Sequence, residues 1–434
     1  MKVHQRKKIA VIGAGWSGLA AAVQLCAKAD VVVFEAGKIA GGRARALGGQ
    51  NGGFSFLDNG QHIMVGAYRA VRTLLDTVGA DVQQAFCRLP LQWYLADGMQ
   101  FQTGFLPAPW HIAAAVLTAK NITAADKLAF SRQMRALQFR LTDGDDMTVA
   151  QWLRNLQVSR RLVRDFWQPM VLGALNTPLE DASLNTLAAV VQDGVCREKA
   201  AGEYWLPKQD LGTAVVSPAV AYLRSRGVDM RFGTRVGQLA LLPGKRVSVD
   251  SEVFDAVVTA VAPYHAEALW PQQTPESVRS VVSAYRYHAI TTVYLRYAAP
   301  VQLPAAMTGF AEGTAQWLID RGRLGAGPSE IAAVISVSEQ CGIDSQEDWV
   351  ERVHADVLRV CPQAGRPLES RVITEKRATL ASTPARRRPD CAWLHHQNIF
   401  PAGDYLHPRY PATLESAVQS GNAAAFLLAA QCQL

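Results

Sequence analysis

The apolar positions of the chain fall into short continuous runs and longer stretches of helical spacing. Lys8-Ile-Ala-Val-Ile12 is a continuous run of the kind that a strand buried on both faces needs. Gly13-Ala-Gly15-Trp-Ser-Gly18 breaks it, a helical stretch follows over 19–28, and Val31-Val-Val-Phe34 makes a second buried strand ending on Glu35. Residues 111–165 read as mostly helical, with Trp152, Leu153, Leu156, Leu162, Val163 and Phe166 recurring as a core-facing stripe. Residues 285–297 alternate and predict a strand. Near the carboxyl end, 398–402 reads as a strand running into Gly403-Asp404, and an Ala-rich helix follows Tyr410-Pro-Ala-Thr413-Leu-Glu415.

At 434 residues, 49% hydrophobic and 19% charged, the chain is globular and long enough for two domains or three. That excludes a disordered tail, a disulfide scaffold and a coiled-coil rod. No apolar run reaches about 20 residues, so no spanning helix is expected. The seven cysteines are scattered without a Cys-x-x-Cys pair. They point away from zinc or thioredoxin-type chemistry and toward free thiols in a reducing cytoplasm. The formal charge of +7 is dispersed apart from Arg386, Arg387 and Arg388. A nucleic-acid partner is not expected, and an anionic membrane surface suits the excess better.

Lys2, Arg6, Lys7 and Lys8 ahead of an apolar stretch look at first like a secretory signal. The glycines decide otherwise. Gly13 permits a tight turn, Gly15 lets the backbone approach a pyrophosphate, and Gly18 lets the helix pack against the sheet. The helix N-terminus offers free N–H groups and a positive dipole end to phosphates, and Glu35 can accept from ribose hydroxyls. Strand, glycine turn, helix, strand and acid together predict a dinucleotide-binding unit. Residues 36–45 add a second glycine pair, Gly41-Gly42, with Arg43 placed to neutralise phosphate. At the other end of the chain Asp404 can meet a ribityl hydroxyl. The helix N-terminus at Ala412, Thr413 and Leu414 can aim N–H groups at the electron-rich edge of a flavin.

Gly13-x-Gly15-x-x-Gly18, Gly42-Arg43 and Gly403-Asp404 with Glu415 resemble the FAD-binding signature of the flavin amine oxidase and phytoene desaturase superfamily. Arg235-Val236 is similar to the family position whose backbone meets the adenine, and 254–263 to the strand that returns to the cofactor. More specific are Asp58-Asn-Gly60-Gln-His62, Phe166-Trp-Gln-Pro169 with Ala174-Leu-Asn-Thr-Pro178, Gln316-Trp-Leu-Ile-Asp-Arg321, and Glu375-Lys-Arg-Ala-Thr379. Together they resemble the squalene-associated branch, the hydroxysqualene dehydroxylases of bacterial hopanoid synthesis, essentially from end to end. Leu406-His407-Pro408-Arg409 departs from the small polar residues expected there, which bears on substrate or membrane contacts beside the flavin.

The resemblance implies an α/β plus α+β fold. A Rossmann-type FAD-binding domain, from 1–85, 207–270 and 390–434, is interleaved with a mixed-sheet and helical substrate domain of 86–206 and 271–389. It implies non-covalent FAD held by Gly13, Gly15, Gly18, Glu35, Ala36, Gly42, Arg43, Gly60, Gln61, Val236, Gly403, Asp404, Ala412, Thr413 and Leu414, and no metal. Cys391 does not match the family's covalent attachment site. The strand expected near flavin N5, 289–295, lacks the Lys of the oxygen-using amine oxidases; Lys376 is the nearest elsewhere.

The implied reaction is reductive: hydroxysqualene and reduced FAD give squalene, water and FAD. Hydroxide leaves poorly, so an acid must protonate it. His62 and Asp58 are the candidates, because their motif passes the isoalloxazine. Asp58 could equally brace the turn at Gly60, and His62 could equally bond backbone or flavin. Departure leaves an allylic cation that hydride from flavin N5 quenches, provided water is kept out. Trp93, Trp167, Tyr204, Trp205, Tyr285 and Tyr287 offer aromatic faces to such a cation. The alternative within the superfamily is a phytoene-type desaturase running the opposite redox direction. An FAD-bound scaffold without catalysis is the alternative of another class. A second GxGxxG unit is absent, so an external electron donor is expected.

A triterpene of roughly thirty carbons, at ~0.8 kcal/mol per buried CH₂, would need ~20 kcal/mol or more to enter water, so such a substrate stays in lipid. Residues 105–117 are apolar, punctuated by proline and too short to span. With Trp110 and the basic series Lys120, Lys127, Arg132, Arg135 and Arg140 they suit an interface, and equally a buried helix with a solvated basic face. The expectation is a cytoplasmic protein, peripheral on the inner face of the cytoplasmic membrane, that takes a long apolar isoprenoid from the bilayer.

Overall fold

A computed structural model describes residues 6–47, 51–384 and 386–434. Lys2 of the basic amino-terminal series lies outside them. Lys8–Ile12 is the middle strand of a five-stranded parallel sheet. Ala256–Thr259 and Asp30–Glu35 flank it, and Ile399–Pro401 and Asp229–Phe232 form the edges. Ile9 and Val11 pack into one hydrophobic core, Ala10 and Ile12 into another on the opposite face. That double burial is why this strand reads as unbroken apolar sequence. The first helix is Trp16–Leu25; it begins at Trp16 because Gly15, in extended conformation, is its N-cap. It crosses the carboxyl-terminal helix Leu414–Cys432 so closely that a Cβ on Gly421 would lie 2.1 Å from the Ser17 carbonyl oxygen.

A second sheet is antiparallel, in the order Met307–Gly309, Trp317–Asp320, Glu330–Ser336, Tyr287–Arg296, Glu369–Leu380. The alternating stretch 285–297 is realised as Tyr287–Arg296. Beside it stand the helices Trp110–Leu117, Ala124–Gln138, Val149–Asn155, Gln168–Leu175 and Leu184–Val191. Two π-helical turns, Val163–Trp167 and Gln192–Cys196, interrupt this layer. The wider turn shifts which side chain faces inward. Phe166 reaches the interior cavity, whereas Trp167 is sealed in the core with its indole Nε1 donating to Gln133 Oε1 at 2.7 Å. A small antiparallel sheet of Met64–Val65, Tyr204–Pro207 and Phe86–Leu89 links the two parts.

One buried ion pair pins the loop that leads into 58–62. Arg321 and Glu330, with side chains 0% and 2% exposed, lie 3.0 Å apart. Arg321 lies over the rings of Phe56 and Tyr294, 4.0 and 5.1 Å from their centroids, and donates to the Phe56 carbonyl at 2.7 Å. Glu330 Oε1 accepts from the backbone N–H and the hydroxyl of Ser55 at 2.7 and 2.8 Å. Removing one charge strands the other in a medium that cannot solvate it. Glu330→Gln is therefore expected to lower the unfolding free energy by about 3–5 kcal/mol, read as a lower urea midpoint; an unchanged midpoint would show the pair to be energetically idle.

Candidate active site

A single cavity of about 1090 Å³ joins the carboxyl ends of the parallel strands to the antiparallel sheet and the helices. It exceeds the roughly 300–1,000 Å³ usual for a small-molecule pocket. Gly13, Gly15, Glu35, Ala36, Gly42, Arg43, Gly60, Gln61, His62, Val236, Gly403, Asp404, Ala412, Thr413 and Leu414 all line it. Gly18 and Asp58 do not reach its wall.

The glycines are of two kinds. Gly13 has a φ of +101°, and a Cβ there would lie 2.5 Å from the Ala260 carbonyl oxygen; at Gly18 a Cβ would lie 1.9 Å from the Gly13 carbonyl oxygen. The chain itself requires both. Gly15 has φ −72° and ψ 178°, open to any residue, and the nearest protein atom to a Cβ there is Gly42 Cα at 3.8 Å. The protein does not need that glycine. The clear space it leaves at the N-terminus of Trp16–Leu25 is the candidate cradle for a pyrophosphate.

Around that cradle the polar groups are largely committed. Glu35 accepts from the N–H groups of Ala14 and Gly37 at 2.8 and 2.7 Å, one on each oxygen, which braces the turn and leaves lone pairs for ribose hydroxyls. Arg43 departs from the expected role of a free phosphate partner. Its guanidinium donates to Asp404 Oδ2 at 2.7 Å and to the Ala378 carbonyl at 2.9 Å. Burial works against the Arg43 charge, but Asp404 beside it outweighs that and holds the guanidinium above its ordinary pKa. Thr413 and Ser416 form a capping box that fixes the N-terminus of Leu414–Cys432 at the wall. Glu415 accepts from the Ala70 and Val71 N–H groups at 2.9 and 3.0 Å, capping the helix Arg69–Val78.

Beyond these motifs the cavity becomes an aromatic chamber. Trp93, Phe101, Phe130, Phe166 and Trp317 line it with ring centroids 4.5–6.5 Å apart. Of the aromatic faces expected from sequence, Trp93 and Tyr204 stand on the wall, and Trp167, Trp205, Tyr285 and Tyr287 do not. Trp205 lies instead under the guanidinium groups of Arg72 and Arg88, at 5.6 and 5.0 Å. Tyr285 donates to the Arg387 carbonyl at 3.0 Å. Lys376 is exposed and off the wall, while the strand Tyr287–Arg296 contributes Ile290 to it.

His62 and Asp58 have parted company. His62 is on the wall, its Nδ1 buried and without a partner among the described residues. Burial lowers its pKa to about 4, so near neutral pH it is an uncharged imidazole. Asp58 accepts from the Leu211 N–H, which lies 3.1 Å from each of its oxygens. Burial pushes its pKa up to about 8, with the Leu211 bond pulling the other way and Asp210 adding to the rise. The Asp58 carboxyl therefore ties its turn to residue 211.

Other residues matter that composition and spacing left without a role. Asn59 Nδ2 donates to the Arg43 carbonyl and its Oδ1 accepts from the Arg45 N–H at 3.1 Å, stitching the second glycine turn. Asn176, at φ +44°, ends the helix Gln168–Leu175, accepts from the Val337 N–H at 2.8 Å and donates to Thr379 Oγ1 at 2.9 Å. Asn-Thr-Pro after an apolar helix was the legible stop signal; its partners were not legible. The unusual run 406–409 also has a use. Arg409 donates to Asp193 at 3.0 Å and to Thr142 and Gln192 at 2.6 Å each, and the Tyr410 hydroxyl donates to the same Asp193 at 2.8 Å.

The model of the family described as flavin containing amine oxidoreductase matches residues 16–428. The chain belongs to that family. It is 30% identical to a hydroxysqualene dehydroxylase of Rhodopseudomonas palustris over 98% of this chain and 99% of that protein. It is 28% identical to one of Zymomonas mobilis over 96% of this chain and 98% of that protein. Its fold is similar to that of cyclohexylamine oxidase from Brevibacterium oxydans, with a TM-score of 0.68 and 18% identity over 99% of this chain and 100% of the other. The Rossmann-type, amine oxidase-like architecture expected from sequence is the one present, and the enzyme is an FAD-dependent oxidoreductase.

Two measurements follow from this geometry. Gly15→Val is expected to fold, with a melting temperature near that of the FAD-stripped parent, and to purify without the yellow cofactor; retention of stoichiometric FAD would contradict the cradle. Asp58 has a folded pKa, about 8, above its unfolded value near 4. Its contribution to stability is thus complete below about pH 4 and is lost as the pH rises toward 8. Asp58→Asn, neutral throughout, should raise the melting temperature relative to the parent more at pH 8 than at pH 5; equal gaps at the two pH values would contradict this.

Proposed function

We propose that the enzyme reductively removes the allylic hydroxyl of hydroxysqualene to give squalene. The observation that carries this is one continuous cavity with an FAD cradle at one end and an aromatic, aliphatic chamber at the other, taken with full-length likeness to hydroxysqualene dehydroxylases. Reduced FAD, bound without a covalent link and recharged by an external donor, supplies the hydride that takes the place of the hydroxyl. The chain supplies the surroundings. The chamber wall keeps water from the positively charged allylic carbon, and its aromatic faces stabilise that charge. His62 is a polar group on the wall, with a buried Nδ1 that lacks a partner among the described residues, and we assign it to the departing oxygen, whereas Asp58 braces its turn. An uncharged His62 donates a hydrogen bond, and negative charge entering the cavity would raise its pKa and so increase the share present as imidazolium, the form that carries a proton to give.

The same helices that line the chamber carry its route to lipid. Six of the twelve exposed large hydrophobic side chains among the described residues fall within 105–141: Phe105, Trp110, Leu117, Leu128, Phe139 and Leu141. Ile112, Phe130 and Met134, on the other side of these helices, face the cavity. Among the described residues no helix is long and apolar enough to cross a membrane. A peripheral enzyme resting this patch on the bilayer fits both facts. Lys120, Arg132 and Arg135 are exposed beside it; Lys127 and Arg140 are held by the Leu117 carbonyl and by Asn185.

The test is anaerobic. Chemically reduced enzyme mixed with hydroxysqualene in anionic vesicles should yield squalene by mass, and no squalene would sink the proposal. His62→Gln should keep its FAD and slow that single turnover by about 10²-fold; full speed would remove His62 from the step. Replacing Phe105 and Trp110 together by Ser should reduce sedimentation with vesicles several-fold while the flavin spectrum stays the same; unchanged sedimentation would discard the membrane face.

A further inference from the structure

An alcohol drawn into an apolar chamber must find a partner for its hydroxyl, or it gives up hydrogen bonding for nothing. Tyr204 opens the strand Tyr204–Pro207, paired with Val65 on one side and Leu89 on the other, and it lines the cavity. Directly paired residues point to one face of a sheet, so Tyr204 and Val65 share that wall. The strand is fastened to the segment that follows His62. Gly66 N–H donates to the Glu203 carbonyl at 2.8 Å and Ala67 N–H to the Ala201 carbonyl at 2.9 Å. The approach is so close that a Cβ on Gly66 would lie 1.8 Å from the Ala200 carbonyl oxygen. Tyr204 is therefore held at a set position relative to His62.

Its hydroxyl has no hydrogen-bond partner among the described residues, unlike that of Tyr410 on the same wall, which donates to Asp193 at 2.8 Å. Tyr264 stands on the cofactor side with its ring against Arg377 at 4.5 Å. Val65, paired with Tyr204, is apolar, and the same wall carries Ile63, Leu91 and Trp93. We infer that the Tyr204 hydroxyl recognises the substrate, donating a hydrogen bond to its hydroxyl oxygen and setting the carbon that bears it toward the cofactor. This rests on the allylic-alcohol substrate proposed above. Tyr204 is a specificity residue and not the proton source: burial alone acts on the phenol and pushes its pKa upward, which keeps it a donor. A product without oxygen loses that bond, which favours its release.

Oxidised, FAD-loaded enzyme cannot reduce the alcohol, so binding is measurable by itself. Titration with hydroxysqualene and with squalene in detergent, followed by flavin absorbance, should show the alcohol bound about tenfold more tightly, as one hydrogen bond allows. Tyr204→Phe should bind squalene as the parent does and lose most of the alcohol preference, with FAD content and melting temperature unchanged. A Tyr204→Phe enzyme that keeps the preference overturns the inference and leaves the proposed activity standing. A parent enzyme without any preference also overturns it. Absence of squalene from the reduced-enzyme assay marks failure of the proposed activity itself.

Discussion

The candidate cofactor cradle is closed by one ion pair between residues 361 positions apart. Arg43 rides on the second glycine turn near the amino terminus, and Asp404 follows the last strand of the parallel sheet. A carboxylate as enclosed as that of Asp404 needs a counter-charge, and a guanidinium beside it needs a carboxylate. Each makes the other tenable, so the two ends of the chain must meet there. The bond from Arg43 to the Ala378 carbonyl draws in the antiparallel sheet as well. Because the pair neutralises itself, Arg43 offers little net charge to a phosphate. Positive potential on the wall comes also from Arg45 and Arg235 and from the N-termini of two helices, Trp16–Leu25 and Leu414–Cys432, which cross closely at Ser17 and Gly421.

Local geometry was legible in the sequence, and partnership across distance was not. Gly13 and Gly18 declare themselves because a tight turn and a close crossing are settled within a few residues. Gly15 is legible for another reason: it leaves room for something that is not protein. The segment 58–62 was legible as part of the site, but the division of labour within it was not. Asp58 finds its partner at Leu211 and Gln61 its own at Thr292, and nothing near residue 60 announces either contact. The apolar stripe of 152–166 shows the same limit. A π-helical turn shifts the spacing, so Phe166 faces the cavity while Trp167, the larger ring, is buried in the core. Arg43 was legible as a residue of the cradle and not as a partner of Asp404.

Physical demands on the two ends of the cavity differ, and the wall reflects this. The cradle end is backbone-rich, with glycines and helix termini that meet a charged ligand through N–H groups. The chamber end is made of Trp93, Phe101, Phe130, Phe166 and Trp317, which offer area and weak polarity. Between them stands His62, neutral because it is buried. The two ends come from different parts of the fold: the parallel sheet and its helix termini build one, and strands and helices of the other part, with Phe130 and Phe166 on helical segments and Trp317 on the antiparallel sheet, build the other.

On the proposed reading, reduced FAD would supply hydride directly to the carbon that loses oxygen. This transfer is tested most directly by a single anaerobic turnover in D₂O, with FAD-loaded enzyme reduced beforehand and hydroxysqualene added last. Direct transfer from the exchangeable N5 position predicts squalene carrying one deuterium, formed at the rate at which the flavin absorbance returns. Squalene without deuterium, or squalene formed while the flavin stays reduced, would contradict the account.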